Sequence, residues 1–89
     1  MADDKENKES MKEAVDTLDQ IVSSSSTPKT IKKSITDLIN DLKSEEYALA
    51  VRAANTISLL DDVTQDPNLP SYVRTQLWQA VSKLESIRE

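Results

Sequence analysis

Not one of the 89 residues is glycine, and that omission constrains the fold more than any residue present. Strand-rich folds use glycine at hairpin turns and bulges, and many phosphate-binding loops need it for close backbone approach. A chain without it has to turn on Ser, Asn, Asp and Pro, as helical hairpins can. The expectation is an all-α protein. Cysteine and histidine are absent too, which excludes disulfides, thiolate zinc sites and catalysis by Cys or His.

The apolar residues recur at helical spacing in four blocks. Met1 to Ser10 is polar and densely charged, so residues 1–10 are expected to fray, leaving residues 11–89 as one domain. Met11, Ala14, Val15, Leu18, Ile21 and Val22 form a stripe about 120° wide, placing helix one near 8–22, with a start around Lys5 as the alternative. Ser23 to Ser26 stops it, because serines compete for local backbone bonds. Thr27 as N-cap and Pro28 as first residue open helix two, 28–43, with Ile31, Ile35, Leu38, Ile39 and Leu42 on its inner side.

Ser44 is the expected N-cap of helix three, 45–64, with Glu45 and Glu46 at the positive end of the helix dipole. This is the most apolar stretch of the chain, Tyr47 to Val63. Its apolar residues fall in several sectors: Tyr47, Val51 and Ala54; Ala53, Ile57 and Leu60; Leu49, Leu60 and Val63. That distribution predicts a central helix buried from several directions. The first sector is surplus to an ordinary stripe and packs on the other helices or on another chain. Asp66-Pro67-Asn68 marks a turn, and Pro70 opens helix four, 70–87, with Val73, Leu77, Ala80, Val81, Leu84 and Ile87 on one side.

A shift of 42 residues aligns the two halves without a gap: Leu18 meets Leu60, Pro28 meets Pro70, Ile35 meets Leu77, and Lys32 meets Arg74. Two similar hairpins produce that pattern. They can close into an up-and-down four-helix bundle or stack as a short solenoid, and the wide apolar surface of helix three favours the bundle.

Chemistry-bearing residues are few. Asp61, Asp62 and Asp66 are the one carboxylate cluster, without the spacing or glycine of a metal loop; Asp66 is expected to shape the turn and Asp62 to face water. Two pairs, Asp61 with Arg74 and Asp19 with Lys32, are expected to bridge the hairpin turns and set register. Trp78 lies off the main stripe of helix four, near Arg74 and Glu85, as an edge-of-core residue or an interface anchor. Lys29, Lys32 and Lys33 form the one basic cluster. Net charge is −5, which argues against general nucleic-acid binding. An acyl carrier protein is excluded because the attachment Asp-Ser-Leu is replaced by Ser-Thr-Pro-Lys. No catalytic, cofactor or metal residue is assigned.

No apolar run approaches the roughly 18 residues of a membrane helix, and the charged start is unlike a signal peptide. The expected location is the cytoplasm. The expected role is a non-enzymatic helical module binding a protein partner or itself; the alternative is a nucleic-acid accessory protein using the Lys29, Lys32 and Lys33 end.

Val51-Arg52-Ala53-Ala54, Ile57 to Asp62, Asp66-Pro67-Asn68-Leu69-Pro70 and Arg74 to Trp78 resemble a small archaeal family, Uncharacterised Protein Family 147. The resemblance covers about half of the chain closely; over helices one and two only the Pro28 hairpin pattern matches. Helix two departs from a family pattern richer in arginine and alanine. The resemblance implies a four-helix bundle in an archaeal cytosol and supplies no catalytic residue.

Overall fold

Proline locks φ and cannot donate into a helix, so it marks where a chain turns into one. Pro28 and Pro70 do so with nearly the same backbone, at φ −58°, ψ 145° and φ −60°, ψ 146°. The structure, a computed structural model, describes residues 4–87. Its four helices are α1 (Asp4–Ser23), α2 (Lys29–Lys43), α3 (Leu49–Thr64) and α4 (Ser71–Glu85). They form an all-α four-helix bundle in which α1 and α3 each pack on α2 and α4 and also approach each other, while the backbones of α2 and α4 stay further apart.

The 42-residue echo is present in the packing. Leu18 and Leu60 are both fully buried, as are Ile35 and Leu77. Ile31 pairs with Val73, Ile39 with Val81 and Leu42 with Leu84 in the same buried state. One contiguous core results, lined by the inner stripe of each helix. Thr27 and Leu69 also share burial at equivalent positions just before the two prolines. There they use it differently, one by a hydrogen bond and the other by apolar contact.

Several expectations are corrected. The start of the chain does not fray throughout residues 1–10: α1 is helical from Asp4, and Asn7 is buried. The N-terminal turns run alongside the end of α4, where the Ser86 and Ser10 hydroxyls are hydrogen-bonded at 2.8 Å. Residues 1–3 lie outside the described residues. Thr27 does not cap α2. Its hydroxyl turns back and donates to the carbonyl of Ile21 at 2.8 Å, closing α1, and Pro28 occupies the N-cap position with no side-chain cap. Within the serine run, Ser24 behaves as expected, its hydroxyl accepting the Ser26 amide at 3.3 Å.

Helix three starts at Leu49 rather than at residue 45. Ser44 is extended, at φ −68°, ψ 135°, and its amide donates to the carbonyl of Asp41, finishing α2. The Ser44 hydroxyl accepts the Glu46 amide at 3.4 Å, a local turn that competes with helix initiation. The helix begins only after Ala48, whose carbonyl accepts the Arg52 amide at 3.0 Å.

Nor is α3 buried from several directions. Ala53, Thr56, Leu60 and Thr64 are its buried residues, one ordinary stripe, while Tyr47, Val51, Ala54 and Leu59 are exposed. A helix in a four-membered bundle meets two flanks and the core, so apolar residues elsewhere on its circumference stay on the surface. Both α1 and α3 contact all three other helices, and they meet each other across the bundle. The fully buried Ala14 of α1 and the buried Ala53 of α3 keep side chains small on these two helices, and smaller contact residues allow closer axes.

Candidate functional site

The last carbonyls of a helix have no intrahelical partner and carry the negative end of its dipole. Two arginines answer that need at successive corners. Arg74, the fourth residue of α4, donates from Nε to the carbonyl of Thr64 at 3.0 Å and from Nη2 to that of Asp66 at 3.4 Å. Arg52, the fourth residue of α3, donates from Nη1 to the carbonyl of Leu42 at 2.8 Å. Each reaches back ten residues. Both are half-buried, and Nε of Arg52 is buried without an acceptor.

The expected pair of Asp61 and Arg74 is therefore not formed, because the guanidinium is engaged by carbonyls at the end of α3. The pair of Asp19 and Lys32 is not formed either. Asp19 is exposed, and Thr27 rather than Lys32 closes the end of α1. The one ion pair among the described residues joins Lys83 of α4 to Glu13 of α1 at 2.8 Å, with both side chains about half exposed. Such pairs contribute about 0–1 kcal/mol.

Asp66 shapes the turn, its Oδ1 accepting the Asn68 amide at 2.8 Å, and Asp62 faces solvent. Among the described residues no three carboxylates come together in a way that could hold a metal ion. Lys29 and Lys33 are exposed and Lys32 half-buried in the first turn of α2, which contains no acidic residue.

The aromatic side chains are all on the surface. The chain has one Trp, two Tyr and no Phe; Trp78 is 50% exposed, Tyr72 45% and Tyr47 58%. Among the described residues, the buried side chains are aliphatic apart from Met11, Asn7 and three threonines. Of the expected surface group, Trp78 and Glu85 lie free on α4 while Arg74 is committed to the corner. Tyr72 and Leu59 escaped sequence reasoning as surface residues. The role of Arg52 also escaped it: its place four residues after the N-cap matches that of Arg74, but the N-cap at Ala48 is visible only in the fold.

Two shallow cavities adjoin between α2 and α3. One, about 220 Å³, is lined by Asp41, Glu46, Tyr47, Arg52, Asn55 and Leu59 among others. The second, about 310 Å³, is lined by Ser34, Asp37, Leu38, Asp41, Leu59, Asp62 and Val63. Asp41 and Leu59 border both, so the two form one groove. No helix of the described residues is long and apolar enough to cross a membrane.

Similar proteins match nearly the whole chain. A UPF0147 protein of Sulfurisphaera tokodaii is 38% identical over 84 residues, 94% of each chain. Another, from Saccharolobus solfataricus, is 40% identical over the same share of both. The crystal structure of a protein from uncharacterized family UPF0147 from Thermoplasma acidophilum superposes with a TM-score of 0.86 at 31% identity, covering 94% of this chain and 99% of that one. The family model described as Uncharacterised protein family (UPF0147) matches residues 1–87, and the chain belongs to that family.

Proposed function

We propose that this protein is a non-enzymatic, cytoplasmic interaction module whose α4 surface around Trp78 binds a protein partner or a second copy of the chain. The observation that carries the proposal is the placement of every aromatic residue outside the core. Tryptophan and tyrosine offer large apolar area at low entropic cost and dominate protein interfaces. A small bundle gains more stability by burying them, so leaving all three half-exposed sacrifices core area. The lack of His and Cys in the sequence supports a role other than catalysis.

The test is a bait comparison in an extract of the native organism. Wild type retains a discrete partner, or self-associates by light scattering, and Trp78→Glu loses it while keeping its helical circular dichroism. An identical set of retained proteins for both baits contradicts the proposal.

The competing role, nucleic-acid association through Lys29, Lys32 and Lys33, draws on one feature. The three lysines coincide with the positive end of the α2 dipole and no first-turn acid offsets them. A gel shift at low salt that disappears in Lys29→Glu/Lys33→Glu would favour it, and no shift at low salt removes it.

A further inference from the structure

The groove between α2 and α3 has a chemistry distinct from the Trp78 surface. Its floor is apolar: Leu38 is buried, Val63 half-buried and Leu59 44% exposed. Its rim is acidic, with Asp37 and Asp41 from α2 and Asp62 from α3 all exposed. None of the three has an ion-pair partner among the described residues. Glu46 and Tyr47 continue the same pattern, acid beside apolar, into the adjoining cavity. The one cation on the lining is Arg52, and its guanidinium is already turned onto the Leu42 carbonyl.

We infer that this groove is a docking site for a basic segment of a protein partner, one that presents Lys or Arg side chains around an aliphatic anchor. Charge complementarity selects the occupant. A nucleic acid is repelled by the rim, and an acidic or neutral helix leaves the three aspartates uncompensated. From Ser34 to Ser44 along α2 the groove extends about 15 Å, enough for about ten residues of helix or about five of extended chain. The aliphatic anchor covers Leu59, and the cations reach Asp37, Asp41 and Asp62, an amphipathic segment in an apolar groove. The inference rests on the interaction-module proposal but not on its Trp78 surface.

The test uses the full chain and a fluorescent peptide of about ten residues in which Lys and Leu alternate at helical spacing. Binding is read by anisotropy and mapped by amide chemical shifts. The expected result is a set of perturbations confined to residues 34–63. Asp37→Asn/Asp41→Asn/Asp62→Asn is expected to weaken affinity about tenfold, against less than about twofold for the charge-matched control Asp16→Asn/Asp19→Asn/Glu85→Gln. All six positions are exposed, so both variants fold.

Equal weakening by the two variants, perturbations elsewhere on the surface, or no binding by wild type would each overturn the inference. So would a concentration-dependent doubling of mass that the peptide abolishes, since the occupant would then be a second copy. Because Trp78 lies outside the groove, failure here leaves the bait experiment intact, and a failed bait experiment leaves the groove open to this one.

Discussion

The Nε of Arg74 donates to the carbonyl oxygen of Thr64 at 3.0 Å, tying the first turn of α4 to the last residue of α3. Arg52 and Leu42 repeat that reach one corner earlier, and Thr27 with Ile21 closes the first corner with a hydroxyl instead. All three devices satisfy carbonyls that a glycine-terminated helix would satisfy by a left-handed turn of backbone. A chain without glycine supplies the donors from side chains.

Replacing Arg74 by Leu removes both of its charge-assisted hydrogen bonds, to Thr64 and Asp66, and is expected to lower stability by about 1–3 kcal/mol. Asp61→Asn is expected to change it by less than about 0.5 kcal/mol, because the two side chains do not pair. Urea unfolding of the two variants decides the matter. Equal losses would restore the ion pair as the register device.

Thr27→Val keeps the shape of a buried residue and deletes its bond to the Ile21 carbonyl. That carbonyl also accepts the Ser24 amide at 3.2 Å, so it is not left unpartnered. The expected cost is about 1 kcal/mol, and Thr27→Ser is expected to preserve the bond at the expense of a methyl group.

Leu59 and Leu60 are neighbours with opposite fates, 44% exposed and fully buried. Leu60→Ala is expected to cost about 2–5 kcal/mol by leaving a cavity, and Leu18→Ala at the equivalent place in α1 a similar amount. Leu59→Ala is expected to cost less than about 1 kcal/mol. Thermal unfolding that ranked Leu59 with Leu60 would contradict the orientation of α3.

These contrasts show what could be taken from the sequence. The inner stripes of α2 and α4 were legible because Ile31, Ile35, Leu77 and Leu84 recur at helical spacing, and the prolines dated both hairpins. The extent of α3 was not. Ser44 followed by two glutamates is an N-cap pattern, and nothing local reveals that its hydroxyl closes a turn instead. The exposure of Val51 and Tyr47 was equally hidden, since apolar composition does not tell how many neighbours a helix has. Arg74 was singled out for a site, yet its partner was misassigned. Opposite charge is visible in a sequence, whereas an open backbone carbonyl at a helix end becomes visible only in the fold.

Hydrogen exchange separates the roles of α1 and α3. Amides in the middle of α1, around the fully buried Ala14 and Leu18, are expected to exchange only through global unfolding. The first turn of α3 has no fully buried residue and no side-chain cap, and is expected to exchange faster by local opening. Equal protection of the middle of α1 and the first turn of α3 would contradict that difference.

The most direct measurement of the interaction proposal is the emission of Trp78, the only tryptophan and 50% exposed. In the dilute protein it is expected to emit at long wavelength and be open to a soluble quencher. In a purified complex, or at concentrations where the chain self-associates, it is expected to shift to the blue and become protected. Emission and quenching that stay the same in every state would contradict a binding role for this surface.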